Sequence, residues 1–530
     1  MGYWAKAPMA REQMVLISTT LDDRIPEGHP VRLVAEILSG YDWKPWESKY
    51  HGRIGQPPIH PSVLASLWLY GLKRGIRSSR KLEYMAGHNI DFLWLSHGHA
   101  PDYTTLSEFR SKFGEELKGL FRYIGRIAMA GGLLQLIDLG TDGTRVKANN
   151  SRFQTWTADK IAKALEELTA ELAKQLSESE QIDREEKDLL GDSSPEQLPP
   201  ELATQVERKR KLEAIQAQLE AADAARKKDG IDPAKNPAQI PKHDPDSRVL
   251  PNKEGGCAPN YTPMATTEGH GGYIVDAGLI VGPNENRELL PSLERVEETF
   301  GEKPERALAD GAYATGPNIR EMESRSIDFY SHLPLPPEKD NPAIRPDPTQ
   351  PVPEADWNRL PINPQTKKFD KACFIYNAEQ DVHYCPRGEV MPFEEKKTET
   401  NKQGETITWQ VYRCGACATC PLAGRCISKT NTGGRTVRRD IYTADRERFA
   451  AKMQTPEARA IYDERMRIAE TPFGIIKHNR GLRQFLLRGL AKVKTEWLWT
   501  CTAFNLDKLV RDLGRLRATV AADVAIALAN

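Results

Sequence analysis

Apolar residues recur at helical spacing through the first quarter of the chain, up to about residue 134. Every third or fourth position is apolar in residues 31–38 and 58–72, as in helices that bury one face. Candidate capping residues for two further helices are Ser78, then Thr104 or Thr105 with Glu108 as capping-box partner. Short capped helices joined by tight turns are typical of helix-turn-helix modules and also of plain helical bundles. We therefore predict an all-α N-terminal domain over residues 1–131, with DNA binding as the more specific interpretation.

From residue 132 onward, short apolar runs alternate with helical patterns. The predicted strands cover residues 134–142, 144–148, 272–281, 306–310 and 327–331, and the predicted helices cover residues 286–300 and 318–324. Such alternation is typical of an α/β layer with a mixed sheet. We predict that this core comprises residues 132–332 plus 440–515. The stretch 228–263, rich in Pro, Asn, Lys and Gly, predicts a surface loop, and residues 516–530 a tail.

Two insertions interrupt the predicted core. Leucine and isoleucine repeat at helical spacing on both sides of a proline-containing break near residue 195, which predicts a helical hairpin over residues 155–227. A structural spacer and an arm for dimerisation or DNA clamping are both compatible with this pattern. The second insertion, residues 333–439, is rich first in proline and then in cysteine.

Five of the eight cysteines lie between Cys385 and Cys426. The spacing C-x2-C brings two thiolates within reach of one tetrahedral ion, so a structural zinc site is a candidate. Our first choice of ligands is Cys385, Cys417, Cys420 and Cys426, with Cys414 as the spare cysteine. Reduced cysteines packed in a small β unit, and an iron–sulfur cluster, are the alternatives.

The overall charge gives no hint of a nucleic-acid partner, because 74 Lys and Arg balance 74 Asp and Glu. Any basic surface must therefore be local. Residues 71–130 contain 10 Lys and Arg against 6 Asp and Glu, and residues 471–520 contain 10 against 3. Candidate DNA-binding residues are Arg77, Arg80, Lys81, Arg465, Lys477, Arg480, Arg483, Arg488 and Lys492. No apolar run of about 18 residues and no signal-peptide pattern occurs, so we expect a cytoplasmic protein.

Three acidic residues stand near the ends of predicted elements. Asp142 and Asp310 each end a short apolar strand and precede a glycine, and Glu470 lies in a charged helix. An aspartate at such a corner is often only a turn residue. The recurrence of the pattern instead indicates that the three acids converge on a pair of divalent metal ions. The rival acids are Asp138, Asp276 and Glu288, of which Asp138 shares a strand face with Asp142.

Together these motifs resemble the DDE transposases of bacterial insertion sequences. The motifs are Asp142-Gly-Thr-Arg-Val-Lys-Ala-Asn, Leu308-Ala-Asp-Gly-Ala-Tyr, and Tyr462-x2-Arg465 followed by Glu470-x6-Lys477. They occur in this order, with the cysteine-rich insertion before the glutamate, and the resemblance extends over nearly the whole chain. It implies an RNase H-like core whose catalytic triad is Asp142, Asp310 and Glu470. The arginine departs from the related Tyr-Arg-Glu-Lys signature, in which three residues separate it from the glutamate, whereas four separate Arg465 from Glu470.

The resemblance also implies cofactors and partners. Asp142 would bridge two Mg²⁺ or Mn²⁺ ions, with Asp310 and Glu470 each holding one, because hard cations prefer oxygen ligands. Lys477 and Arg465 would contact DNA phosphate near the scissile bond. The expected partners are double-stranded DNA, as element ends and as target, and a second copy of the chain in a homodimer on that DNA. A nucleoid-associated location would follow.

The expected function is binding of the terminal inverted repeats of an insertion sequence, followed by Mg-dependent cleavage and strand transfer. Two alternatives remain open at the level of the sequence. One is a DNA-binding derivative without catalysis, and the other is a metal-dependent nuclease that lacks strand transfer.

Overall fold

The structure is a computed structural model, and it describes residues 20–50, 57–190, 200–228, 232–252, 255–333, 341–400, 406–428 and 433–529. The side chains at 175–203, at 228 and at 520–529 lie outside this description. The proposed break in the helical hairpin, residues 191–199, also lies outside the described residues, as does most of the N-terminal segment before Pro30.

The N-terminal unit is helical, as predicted. Its helices are α1 (Pro30–Ser39), α2 (Lys44–Glu47), α3 (Pro61–Lys73), α4 (Ser79–His88), α5 (Ile90–Leu95), α6 (Tyr103–Lys112) and α7 (Gly114–Ala130). Ser78 occupies the predicted N-cap position of α4. The prediction of a threonine cap for α6 was wrong, because the Asp102 carboxylate accepts the hydrogen bond from the Thr105 amide at 2.8 Å. An ionised oxygen is a strong acceptor at a helix N-terminus, which favours Asp102 there.

An α/β layer follows the helical unit. Its elements are β1 (Asp138–Gly143), β2 (Val146–Lys147), β3 (Thr155–Trp156), α8 (Ala158–Leu190), α9 (Pro200–Lys228), β4 (Ile240–Pro241), β5 (Arg248–Pro251), β6 (Cys257–Glu268), β7 (Ile274–Ile280), α10 (Leu289–Phe300), β8 (Arg306–Ala309), α11 (Gly316–Ser324) and β9 (Asp328–Ser331). In the described part of the chain the main sheet has seven strands, with the path β2-β6-β1-β8-β9, and β5 and β7 also pair with β6. Strands β1, β8 and β9 are parallel, and β6 is antiparallel to both β1 and β7.

The predicted surface loop over 228–263 was wrong. This region contains β4, β5 and the first half of β6, the long strand at the centre of the sheet. Its prolines remain compatible with pairing because their carbonyls still accept: Pro263 accepts from the Thr144 amide and Pro259 from the Ala148 amide. Farther along β6, the buried Thr266 hydroxyl hydrogen-bonds across strands to the Thr141 hydroxyl at 2.9 Å.

The two predicted insertion helices, α8 and α9, pack against each other. Their shared apolar cluster contains Ile161, Leu168, Leu172, Leu212, Ile215 and Leu219. The short ladder between β3 and β4 closes the base of this insertion, because it pairs Trp156 with Ile240. The helical spacing of leucine and isoleucine therefore identified both the helices and their contact face.

The cysteine-rich insertion folds around its own sheet. Its elements are β10 (Ile375–Asn377), β11 (Val382–Tyr384), β12 (Val390–Thr400), β13 (Thr406–Arg413), α12 (Ala423–Cys426) and β14 (Thr436–Asp440). The helices that follow it are α13 (Thr443–Met453), α14 (Pro456–Asp463), α15 (Arg465–Gly474) and α16 (Leu490–Ala529). Strands β10 to β14 pair in sequence order as antiparallel neighbours. A separate apolar cluster supports this unit.

Helix α15 continues through Pro472, and a π-helical turn, Ile475–Asn479, follows it. Proline within a helical pattern can mark the start of a new helix, but no new helix begins at Thr471. Proline removes one helical hydrogen bond, and wider π-turns are common where a helix accommodates such a defect.

Helix α16 packs against both the N-terminal helices and the sheet. One apolar cluster joins Trp46 and Trp68 of the helical unit, Leu139 of β1 and Trp499 of α16. The predicted tail at 516–530 was wrong for residues up to 529, because α16 extends to Ala529. The helical unit and the sheet thus share one core across residue 131.

Candidate active site

Asp142 and Asp310 lie at the same edge of the main sheet. Thr141 of β1 is the parallel register partner of Ala309 of β8, so the next residues on the two strands are Asp142 and Asp310. Adjacent strands are about 4.8 Å apart, which places these two acids side by side. Asp310 also caps the short turn Gly311–Tyr313, where its carboxylate accepts from the Ala312 amide at 2.8 Å.

Glu470 approaches these acids on α15, which packs across β1. The approach requires a glycine at position 140, because a Cβ there would lie 2.8 Å from Ile468 Cγ2 and 3.1 Å from the Ala469 nitrogen. Ile468 and Ala469 are buried, whereas the Glu470 side chain is 47% exposed. The helix therefore turns its apolar side to the sheet and directs Glu470 towards the cleft beside Asp142.

The Arg465 guanidinium stands between two of the acids. Its Nη2 lies 3.2 Å from Glu470 Oε1, and its Nη1 lies 3.9 Å from Asp142 Oδ2. The Arg465 side chain is 16% exposed. The resemblance predicts that this arginine contacts DNA phosphate, whereas in the structure it pairs with the acids themselves.

Burial raises the pKa of Asp142 to about 6. Desolvation is the largest cause, and the nearby Glu285 and Asp310 carboxylates raise the pKa further, whereas the Gly143 amide and Arg465 lower it. Gly143 donates from its amide to Asp142 Oδ1 at 2.8 Å. The ionised form of Asp142 is thus stabilised by few groups of the protein and would gain from a cation.

Glu285 is a fourth acid at this site, and the sequence reasoning missed it. It stands between β7 and α10, one residue before a short 3-10 turn, Asn286–Glu288. Its Oε1 accepts from Arg145 Nη1 at 2.8 Å, and its side chain is 17% exposed. A sequence signal existed, because Glu285 joins a predicted strand to a predicted helix, where residues of an α/β layer converge.

The rival acids have other partners. Asp138 begins β1, far from the Asp142 end, and its Oδ1 lies 2.6 Å from Arg306 Nε. Asp276 accepts from Arg295 Nε at 2.8 Å and from the Ser292 hydroxyl at 2.9 Å. Glu288 occupies the N-cap position of α10. These pairs explain Asp138 and Asp276 as structural residues.

A cleft of about 470 Å³ opens beside Asp142 and Glu470. Its other lining residues are Gly143, Thr144, Arg145, Lys147, Asn252, Asn260, Phe473, Gly474, Lys477, His478 and Arg483. The Lys477 ammonium donates to the Thr144 hydroxyl and, at 2.8 Å, to the Arg145 carbonyl. Lys477 therefore anchors the turn that follows Asp142, in addition to contributing positive charge to the cleft wall.

The other predicted DNA contacts divide into two groups. Arg77 is bound to protein groups, including the Gly481 carbonyl at 2.8 Å and Glu496 Oε1 at 3.1 Å. Arg480, 7% exposed, pairs with Asp507 Oδ2 at 2.8 Å. The structure thus contradicts a DNA role for these two arginines, because a guanidinium paired inside the protein is not available to phosphate. The exposed members of the predicted set are Arg80, Lys81, Arg483, Arg488 and Lys492.

Two comparisons with known families bear on this arrangement. The family described as "Transposase DDE domain" matches residues 384–510, and the family described as "Transposase domain (DUF772)" matches residues 19–112. The first match includes Glu470 and Lys477, and the second includes most of the N-terminal helices. Together the two matches support an insertion-sequence DDE transposase. Asp142 and Asp310 lie between the two matched segments, and no curated protein matches this transposase significantly.

A transposase acts on DNA, so the substrate class follows from the family. Among the helices that the structure describes, none combines the length and the apolar character needed to cross a membrane.

The cysteines of this transposase converge on one small apolar cavity. Cys385, Cys414, Cys417, Cys420 and Cys426 all line it. Cys414 is buried and hydrogen-bonds to Cys385, which lowers the pKa of Cys385 to about 6. Cys414 therefore lines the same cavity as the four cysteines of the predicted ligand set. Burial raises the pKa of Cys426 to about 12, which disfavours the thiolate.

The two candidate metal sites differ in how well their residues fit an ion. Within the described residues, no three His, Cys, Asp or Glu side chains are arranged so that they could hold a metal ion. A structural zinc needs four protein ligands in place, so the cysteine cluster does not fit the zinc prediction. Mg²⁺ keeps several waters and is often held by one or two carboxylates plus substrate phosphate. Asp142, desolvated and flanked by Asp310 and Glu285, fits that requirement.

Proposed function

We propose that this transposase binds the ends of an insertion sequence and carries out Mg-dependent strand cleavage and strand transfer at Asp142, Asp310 and Glu470. The observation that carries the proposal is the register of β1 and β8, which sets two acids side by side, with α15 bringing Glu470 to the cleft that Asp142 lines. The strand order β7-β6-β1-β8-β9, with its first pair antiparallel and its last three strands parallel, supports an RNase H-like core.

Each step of the reaction exchanges one oxygen on phosphorus for another. In cleavage, water attacks a phosphodiester and releases a 3′-hydroxyl. In strand transfer, that hydroxyl attacks a target phosphodiester and displaces another 3′-oxygen. Two divalent ions, each held by one or two of the carboxylates of Asp142, Asp310 and Glu470 together with substrate phosphate, would supply the polarisation of the attacking and leaving oxygens.

The residues of the chain set the geometry for this chemistry. The Asp310 carboxylate is oriented by the Ala312 amide, and the Asp142 carboxylate by the Gly143 amide. Lys477 holds the turn after Asp142 through Thr144 and the Arg145 carbonyl. Arg465 balances the charge of Asp142 and Glu470. Fixed carboxylates at a partly buried site need little reorganisation when the reaction begins.

We propose that DNA enters along the basic wall of the cleft. Arg483 lines the cleft, and Arg488 and Lys492 are exposed on the same segment. The N-terminal unit joins this segment directly, because Arg77 binds the Gly481 carbonyl. Exposed Arg80 and Lys81 on α4 would then extend the contact to a longer duplex. An affinity that falls steeply with salt is expected when several phosphates are neutralised.

The proposal is tested by incubating DNA that carries the element ends with wild-type protein, with Asp142→Asn and with Glu288→Gln. Wild type and Glu288→Gln should nick the end in Mg²⁺ or Mn²⁺, whereas Asp142→Asn should lose at least 100-fold in rate, on the order expected for loss of a metal-bound catalytic acid. Equal nicking by Asp142→Asn would reject the assigned site.

Joining of a pre-cut 3′-end to a target duplex is the second measurement. Nicking without joining would identify a nuclease, and end binding without either reaction would identify a DNA-binding derivative. We also propose a homodimer on DNA, because two ends have to be held together. Light scattering of the protein alone and with end DNA should show two chains in the complex.

A further inference from the structure

Glu285 is held in place by groups that belong to the turns of both catalytic aspartates. Its Oε1 accepts from Arg145, three residues after Asp142, and its Oε2 lies 3.4 Å from the hydroxyl of Tyr313, three residues after Asp310. Both partners are buried or nearly so, because the Arg145 side chain is 18% exposed and Tyr313 is fully buried. One carboxylate therefore links the two loops that present the aspartates.

The contact between Glu285 and Gly143 is unusually close. A Cβ on residue 143 would meet the Glu285 carboxylate, with its Cδ only 2.6 Å away. A side chain at position 143 would therefore displace that carboxylate, which is the mobile end of the Glu285 side chain. The residue directly after Asp142 is thus fitted to Glu285.

Arg145 connects the position of Glu285 to the environment of Asp142. The Arg145 guanidinium lines the same cleft as Asp142, and it is held by Glu285, by the Thr262 hydroxyl and by the Pro283 carbonyl. Glu285 is its only carboxylate partner among the contacts of the described residues. Without that partner, a cation at low exposure would be drawn to the nearest remaining carboxylates, as oppositely charged groups attract strongly at such sites.

We propose that Glu285 is a positioning residue of the active site, which holds Arg145 in the cleft wall and thereby keeps it from competing with divalent cations for Asp142 and Asp310. This inference rests on the proposed function of Asp142. Glu285 acts through Arg145 and Tyr313, so its role differs from that of the three acids of the triad.

The competing explanation is that Glu285 and Arg145 form a purely structural ion pair. The two explanations predict different effects of Arg145 on metal binding once Glu285 loses its charge. In the structural case, replacing both partners by neutral residues is no better for metal binding than replacing one. In the positioning case, neutralising Arg145 as well removes the competitor, so the double variant should regain metal affinity.

The test measures Mn²⁺ binding to the full chain by electron paramagnetic resonance in the absence of DNA. The variants are Glu285→Gln, Arg145→Gln with Glu285→Gln, Asp142→Asn, and Glu288→Gln as the matched control in the same segment. Thermal melting of each variant checks folding. Glu285→Gln should bind Mn²⁺ about tenfold more weakly, a loss expected when a residue that orients metal ligands is removed. The double variant should return to within about threefold of wild type, and Glu288→Gln should match wild type.

Two results would overturn the inference: Mn²⁺ affinity of Glu285→Gln within about twofold of wild type, or a double variant as weak as the single one. If Glu285→Gln does not fold, Gly143→Ala displaces the same carboxylate without removing its charge, and unchanged Mn²⁺ affinity in that variant would also overturn it. Failure of the proposed function looks different, because Asp142→Asn would then bind Mn²⁺ as well as wild type.

Discussion

Arg480 and Arg483, three positions apart in the basic segment 471–520, have opposite surroundings. Arg480 is buried against Asp507, which also lies 3.3 Å from Lys73, whereas Arg483 is exposed along the cleft. Desolvation lowers the pKa of Arg480. A count of positive charges treats the two as equivalent, but only the exposed one can exchange water for phosphate. Charge at the residue scale therefore becomes functional only where burial allows it.

We expect Arg483→Ala and Arg480→Ala to separate DNA binding from stability. Arg483→Ala should weaken DNA binding across sequences and reduce the salt slope by about 1, as expected for one lost phosphate contact. Arg480→Ala should instead lower the free energy of unfolding by about 1.5–3 kcal/mol, the range for hydrogen bonds to charged groups. Fluorescence anisotropy at several salt concentrations and urea unfolding measure the two effects. A salt slope reduced equally by both variants would contradict this assignment.

Gly140 controls the distance between α15 and β1. A methyl group there would meet Ile468 Cγ2 at 2.8 Å, so Gly140→Ala should push the helix outward and shift Glu470. Overpacking of this kind costs about 1–3 kcal/mol. Misplacement of a catalytic group by about 1 Å can cost 100-fold in rate, so nicking should fall by at least tenfold.

The control for this prediction is Gly424→Ala, because a Cβ at position 424 meets nothing within 4 Å. The measurement compares the nicking rates and melting temperatures of Gly140→Ala and Gly424→Ala with those of wild type. Nicking by Gly140→Ala at the wild-type rate would show that the helix tolerates the methyl group without moving Glu470.

At the scale of single elements, the conformation of a strand can depend on its neighbours more than on its own residues. Strand β6 contains two prolines and few branched apolar residues, yet it is the strand with the most neighbours, since β1, β2, β5 and β7 all pair with it. These partner strands pair with its backbone on both sides, so context determines its conformation. Strand β11 also depends on its surroundings, because its polar residue His383 is buried inside the cysteine-rich unit.

His383 should make the cysteine-rich unit sensitive to acid. Burial lowers the pKa of His383 from 6.5 to about 4, so the folded state favours the neutral ring. The unfolded state binds the proton first as the pH falls, and stability present above pH 6.5 is lost as the pH approaches 4. Between about pH 7 and about pH 4.5 the expected loss is about 2–3 kcal/mol.

His383→Asn provides the control, because its amide nitrogen can still donate to the Phe374 carbonyl, as Nδ1 does at 3.2 Å, but it does not titrate. Urea unfolding monitored by tryptophan fluorescence at the two pH values should show a smaller pH dependence for the variant. An identical dependence in both proteins would exclude His383 as its source.

At the scale of the whole molecule, the helical unit and the sheet share one core. The Trp46 and Trp499 rings are 6.0 Å apart, and the Trp499 indole donates to the Arg110 carbonyl at 3.1 Å. Helix α16 thus connects the N-terminal helices to the main sheet. This arrangement fixes the exposed cations of α4 relative to the cleft, as the proposed contact of both with one DNA duplex requires.

We expect the helical unit and the sheet to unfold together in calorimetry. Trp499→Ala should destabilise that joint transition by about 3–5 kcal/mol, the range for truncating a fully buried tryptophan. DNA binding and nicking should therefore be lost at the same temperature. Loss of nicking well below the temperature at which DNA binding is lost would show instead that the two parts are independent.

The sequence by itself determined the helical N-terminal unit, the two insertion helices and most strands of the sheet, because periodicity is a local pattern. It proposed Asp142 and Asp310 from strand-end Asp-Gly corners, and Glu470 from a charged helix. Tertiary structure decided the rest. The central strand β6 is stabilised by its neighbours rather than by its own propensity, and Glu285 became visible only through its contacts with Gly143, Arg145 and Tyr313. Likewise, Arg77 and Arg480 carry the same charge as the exposed cations, and only burial against Glu496 and Asp507 removes them from the DNA surface.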